Sequence, residues 1–348
     1  TRHSPVLYIF ISILYKIGIS DFFVRLISVH VCIFLIFIFY KCLVIKFKSV
    51  NKNNLILFSG IIFLSPSFWS LSIWPDSRIF GLLFFCLSIF YFLKFKENNN
   101  FKNSLKCVFA YSAASYLSPN FSLFSLYFFY EFYKKFGLKK ELIIIVLLNI
   151  ILALPAFIYL FSLDEIFLFK SAVPSDLIRE ADYLNIANKI LIISSIIFFY
   201  FIPFLISDSL GTNIKLNNFE NLIISFLILI LCIFYFDYNY LFTGGGFFFK
   251  ASYFLSKNNY IFYFFCFFSI FYLVNICKYN FENFFLILLL LLSNPQYTIY
   301  HKYYDPLLLI IFSLLFNLNL NKKKLFNYRS IIIFYLHIGS FLILNFLK

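Results

Sequence analysis

Methionine is absent from all 348 residues, tryptophan occurs twice, and only 13% of the chain is charged. The shortage of charge excludes a water-soluble surface. With 56 Phe, 62% apolar residues and a mean hydropathy of +0.90, too few polar side chains exist to cover a globule. No Cys-x-x-Cys pair occurs. Cys32, Cys42, Cys86, Cys107, Cys232, Cys266 and Cys277 all stand in or at the ends of apolar stretches, away from His, which removes zinc and disulfide frameworks and leaves small buried apolar groups. There is no Gly-Lys-Ser/Thr phosphate loop, no GxGxxG fingerprint and no GxSxG elbow, so ATP-driven transport and soluble-style hydrolysis lose their sequence support. The apolar stretches also lack the inside/outside alternation of an outer-membrane barrel.

What is present is a succession of apolar runs: 22–40, 55–73, 78–93, 103–117, 119–133, 142–163, 190–207, 221–236, 260–276, 284–294, 306–320 and 330–347. They predict an all-α polytopic bundle of about twelve transmembrane helices. Several runs fall short of the roughly 20 residues that span a bilayer, and flanking Tyr, Asn and Ser are expected to lengthen them at the interfaces. Residues 1–21 read as a juxtamembrane segment on the outer face, and 22–348 as the bundle, with one long outer loop at 164–189.

Charge sorts the loops. The set 41–54, 94–106, 131–141, 208–220, 277–283 and 321–329 holds 18 Lys/Arg against 6 Asp/Glu, whereas the alternate set holds 11 against 9. By the positive-inside rule the first set is cytoplasmic and the chain begins outside. The net charge of +14 therefore reports topology and not nucleic-acid binding. Lys322, Lys323 and Lys324 form the one tight basic cluster, suited to lipid headgroups.

Polar chemistry is confined to the outer loops. Pro5 opens a short apolar helix expected to lie along the interface as a lid, with His3 beside it as a solvated residue or a site residue. Trp74-Pro75-Asp76-Ser77-Arg78 is a tight turn in which Asp76 has two readings, a cap of the next helix or a carboxylate of a metal or phosphate site. Residues 175–180 in the long loop predict a surface helix, a solvated face or a lid. Between Asn294 and Pro306 an aromatic belt explains the tyrosines but not His301, Lys302 and Asp305, which suit a lipid phosphate. Gly244, Gly245 and Gly246 read as a flexible turn rather than a phosphate nest. His30 and His337, inside apolar stretches, read as packed or hydrogen-bonded core residues rather than proton relays.

Arg2-His3-Ser4-Pro5-Val6-Leu7-Tyr8, the helix to Gly18, and Asp21-Phe22-Phe23-Val24-Arg25-Leu26-Ile27-Ser28 together resemble the H-P-P-L-Y-Y … G … E-F-x-x-R-L-x-S run of the membrane-embedded GT-C glycosyltransferases. These include the dolichyl-phosphate-mannose protein mannosyltransferases and the bacterial polyprenyl-phosphate-dependent sugar transferases. Val6 replaces the second Pro. Ser65-Pro66-Ser67-Phe68-Trp69 with Asp76, Ser77 and Arg78 is similar to their short outer loop and following helix. Tyr297 to Pro306 is similar to their late "R-Y" loop, with Lys302 where Arg is commoner. The likeness is best over 1–95, weak over 295–306 and architectural between.

The resemblance implies transfer of a sugar, with inversion, from a polyprenyl-phosphate-sugar donor to a lipid or protein acceptor at the outer face. Asp76 is then the catalytic carboxylate of this chain, His3, Arg25, Arg78, His301, Lys302 and Tyr303 bind substrate, and a divalent metal is left undecided. The principal acid of the family follows transmembrane helix 1. A start outside, on Thr1, predicts that this helix and its loop lie upstream and that residues 1–348 are inactive alone. The other readings are a lipid-linked-sugar flippase or transporter, which predicts ionisable groups along a path through the bilayer, and an O-antigen-polymerase-like enzyme. The Phe, Ile, Asn, Lys and Tyr excess fits an AT-rich genome and a bacterial inner membrane, with the endoplasmic reticulum as the alternative.

Overall fold

A computed structural model describes residues 5–162, 185–207, 209, 219–241, 244–278, 280–294, 296–318 and 320–346. Among them the regular structure is helical, with no β-strand. His3 and residues 164–184 of the long loop lie outside the described residues. The chain divides into two compact units, Thr1–Leu168 with Ser313–Leu315 and Ile338–Lys348, and Phe169–Phe312 with Phe316–His337.

The first unit contains α1 (Pro5–Lys16), α2 (Asp21–Lys46), α3 (Lys52–Gly60), α4 (Pro66–Ser72), α5 (Ser77–Asn98), α6 (Phe101–Leu117), α7 (Phe124–Phe136) and α8 (Lys140–Ser162). Its core is an aromatic ladder. Phe85, Phe92 and Phe95 on α5 meet Phe121, Phe128 and Phe132 at ring separations of 4.9, 5.2 and 5.1 Å, spacings at which offset and edge-to-face pairs are favourable. α8 differs in kind, since only 11% of its apolar window is buried. In a membrane protein such a face meets lipid.

The second unit holds α9 (Ile186–Ile206), α10 (Phe219–Phe234), α11 (Gly246–Ser256), α12 (Tyr260–Cys277), α13 (Phe281–Leu292), most of α14 (Leu307–Leu314) and α15 (Lys322–Leu325), while α16 (Tyr328–Phe346) belongs to it up to His337 and to the first unit from Ile338. α9 is the axis of the second unit, with 72% of its window buried. Ser194 and Ser195 keep that helix thin, so that Ser269 of α12 donates to the Ser194 carbonyl and Cys266 to that of Leu191. Small hydroxyl residues allow this kind of approach between apolar helices.

Local sequence explains the boundaries. Asn51, Asn100, Asn185, Asn280 and Asn321 each cap the N-terminus of a helix by accepting a backbone N–H two or three residues on. Ser65 does so at 3.1 Å from the Phe68 N–H.

Each of the twelve apolar stretches contains a helix, and among the described residues six helices have the length and apolarity to cross a bilayer: α2, α5, α8, α9, α12 and α16. A seventh span exists if residues 52–72 count as one, bent by 72°. The other stretches hold helices that are shorter or interrupted. Pro66 lacks an N–H and Ser65 caps a new helix, which breaks the second stretch. Pro119 likewise separates α6 and α7, of 17 and 13 residues. The 8 residues of α14 extend only about 12 Å against a hydrocarbon core of about 30 Å. Several long apolar helices make this an integral membrane protein.

Side chains also tie the loops together by set. Lys48 pairs with Glu97, Lys96 with the buried Glu131 at 2.7 Å, and, in the second unit, Lys278 with Glu220 at 2.6 Å. Every one of these pairs joins segments that the charge sorting puts on the positive side. Six of the seven cysteines are buried and all are free thiols, as their apolar settings imply.

Candidate functional site

Two groups of candidate residues exist, one in each unit. In the first unit Asp76 sits in extended backbone (φ −120°, ψ 129°) as the N-cap of α5. Its Oδ1 accepts the Arg78 backbone N–H at 2.8 Å and the Arg78 Nε–H at 3.0 Å, and its Oδ2 accepts from the guanidinium at 2.8 Å. The cap and the charge pair, alternatives on sequence alone, are thus one arrangement. Both side chains are about one-fifth exposed, enough for solvent to screen the pair. These three bonds suit Asp76 to fixing the guanidinium plane of Arg78.

Arg25, one turn into α2, stacks its guanidinium on Trp74 at 3.8 Å from the ring centroid, a cation–π geometry. Trp74 directly precedes the Asp76 turn, so the structure brings Arg25 to the same turn as Asp76 and Arg78. At the start of α2, Asp21 accepts a hydrogen bond from Tyr15, which raises the Tyr15 phenol above its ordinary range. α1 is docked here and not merely laid on the surface: Leu7 packs with Phe80 and Leu117, flanked by Ile11 and Ile27. Gly81 permits this end to close, because a Cβ there would lie 2.9 Å from the Ser118 Cβ and 3.1 Å from the Phe121 ring.

In the second unit the segment before α14 is anchored by backbone. The Gly245 N–H donates to the Ile299 carbonyl at 2.8 Å, Tyr297 donates to the Asp237 carbonyl at 2.9 Å, and the Ile299 N–H donates to the Tyr238 hydroxyl at 3.3 Å. Burial pushes the Tyr238 and Tyr304 phenols above their ordinary range. The glycine triplet is therefore packed rather than flexible. Gly244 holds φ +113°, and a Cβ on it would stand 2.6 Å from the Ile299 oxygen.

Within this frame a 3₁₀ turn, His301–Tyr303, presents the candidates. His301 Nε2 lies 3.3 Å from the hydroxyl of Tyr200, in the C-terminal third of α9, and that hydroxyl is hydrogen-bonded to the Asp305 carboxylate. Tyr200 and Asp305 are buried. When the phenol proton is directed at Asp305, the imidazole N–H donates to the phenol oxygen, so the buried carboxylate orients His301 through Tyr200. Lys302 is exposed, its ammonium 4.6 Å from the Tyr300 ring centroid, and Tyr303 donates to Gln296 at 3.3 Å. Tyr200 was not legible as a functional residue, because one Tyr within a Phe/Ile run carries no sequence signal.

The two intramembrane histidines are satisfied by backbone. His30 Nδ1 is 2.7 Å from the Leu26 carbonyl, and His337 Nε2 is 2.9 Å from that of Phe199. Among the described residues no group of three or more His, Cys, Asp or Glu side chains is placed to hold a metal ion. Comparison with known protein families, curated proteins and solved structures finds no match.

Proposed function

We propose that this chain is a membrane glycosyltransferase of the GT-C type, moving a sugar from a polyprenyl-phosphate donor to a lipid-linked or protein acceptor at the outer face of a membrane, most simply a bacterial inner membrane. The observation that carries the reading is the Asp76–Arg78 arrangement at the start of α5, with Arg25 stacked on the adjoining Trp74. A lipid phosphate calls for a fixed guanidinium at the membrane edge, and a carboxylate that grips the fork supplies its orientation. In the reaction the acceptor hydroxyl oxygen attacks the anomeric carbon and the bond from that carbon to the phosphate oxygen breaks. The released polyprenyl phosphate keeps the electron pair, and the hydroxyl proton ends on that phosphate. His301 and Lys302 offer cationic and N–H donor groups of the same chemical kind in the second unit.

A second reading, a proton-linked transporter or flippase, draws support from Asp305, Tyr200 and His301, a run of protonatable groups joined to α9. Reconstitution separates the two. Proteoliposomes of the natural full-length protein are given a polyprenyl-phosphate sugar and scored for a new glycosidic product and for donor movement between leaflets. Product formation abolished by Asp76→Asn supports the transferase, and donor movement without product overturns it.

A further inference from the structure

A cavity of about 440 Å³ lies in the first unit between the start of α1, the end of α6, the Pro119 turn, α7 and the second half of α8. That volume is within the roughly 300–1,000 Å³ of small-molecule sites. Among the described residues its polar lining is uncharged: Ser112, Ser115, Ser122 and Ser125 line it among Val6, Leu152, Ala153 and Ala156, and no described Lys, Arg, Asp, Glu or His does.

The walls are held apart by hydrogen bonds of their own. Tyr111 donates to the Asn149 side chain, whose amide donates to the Ile145 carbonyl at 2.9 Å, and Tyr116 donates to the Leu152 carbonyl at 2.6 Å. The Leu152 contact falls beside Pro155, where the α8 ladder lacks an N–H. Small side chains between apolar helices ordinarily let the backbones close together. Here Ser112, Ser115, Ala153 and Ala156 face one another across open space instead.

Charge and location define the occupant. A phosphate or ammonium in this space would be desolvated without a counter-ion, which is costly. α8 exposes Ile150, Ile151, Phe157 and Ile158, so the cavity is bordered by a helix with an apolar outer surface of the kind that meets lipid. Serine hydroxyls in an apolar slot match ester or hydroxyl oxygens on an otherwise greasy molecule. α1 links the cavity to the Asp76 turn at one remove. Val6 lines the cavity, Leu7 packs on Phe80, and the Phe80 N–H donates to the Asp76 carbonyl at 3.3 Å.

We infer that this cavity binds an uncharged lipid carrying a free hydroxyl, of the diacylglycerol class, and that this lipid is the acceptor; the acceptor role rests on the transferase reading above. Its hydroxyl would enter the displacement as already written, with no further reactant.

The test is native mass spectrometry of the full chain released from nanodiscs containing dioleoylglycerol and, separately, dioleoylphosphatidylglycerol, which adds a charged phosphate to the same chains. One dioleoylglycerol is expected to remain per chain, undisplaced by the charged lipid. Ala153→Trp, which fills the space, and the triple change Ser112→Ala, Ser122→Ala, Ser125→Ala, which keeps the volume and removes hydroxyls, should each lower retention at least tenfold at unchanged melting temperature. Equal retention by wild type and the triple variant, or preference for the charged lipid, overturns the proposal. Retention of dioleoylglycerol by a natural full-length protein that transfers sugar to no acceptor leaves the lipid site and overturns the transferase reading. Transfer to a peptide without dioleoylglycerol retention does the reverse.

Discussion

Arg78 grips the carboxylate that caps its own helix: the side chain of Asp76 receives both the backbone N–H of Arg78, at 2.8 Å, and two guanidinium N–H bonds, at 3.0 and 2.8 Å. A single residue thus starts α5 and fixes the plane of a cation at its tip.

Asp76→Asn separates these duties. Asparagine is as good a cap, so unfolding stability in micelles should change by less than about 1 kcal/mol, the half-shielded ion pair adding little. Turnover should fall about a hundredfold or more through loss of the guanidinium's orientation. Full turnover at normal stability would reduce Asp76 to a cap.

Tyr200→Phe removes the hydroxyl shared by Asp305 and His301 while keeping the ring. Leaving buried polar groups without that partner should cost about 1–3 kcal/mol. If His301 meets donor phosphate, the donor KM should rise several-fold, and Asp305→Asn should reproduce much of that rise. A stability loss with unchanged KM would confine Tyr200 to packing.

Gly244→Ala tests the packed turn. The added methyl meets the Ile299 carbonyl oxygen at a φ of +113° that alanine resists. A loss of at least about 1 kcal/mol in thermal unfolding is expected, against a smaller loss for Gly137→Ala, which shares the positive-φ strain but has nothing within 4 Å. Equal effects at the two sites would mean that strain and not contact decides Gly244.

Orientation follows from charge. An impermeant thiol reagent added outside intact cells should label Lys257→Cys and not Lys323→Cys, in a background without the native cysteines. The opposite pattern would put the Asp76 turn on the cytoplasmic side and end the outer-face proposal.

Composition and local spacing determined the all-helical membrane class, the helix starts at Asn and Ser, the buried thiols and the capping role of Asp76. These depend on hydropathy and on neighbours within a few residues, which sequence displays directly. Tertiary structure alone decided the rest. Among the described residues, helix lengths set by Pro66, Pro119 and their neighbours make six of the twelve apolar stretches single long helices, because one missing N–H ends a ladder that an apolar count runs through. The Gly244 turn is rigid because Ile299, distant in sequence, presses on it. Tyr200 joins His301 and Asp305, about a hundred residues further along, and the hydroxyl-lined cavity needs α1, α6, α7 and α8 at once. Contacts of that range leave no periodicity in one chain, so only the packed structure brings them together.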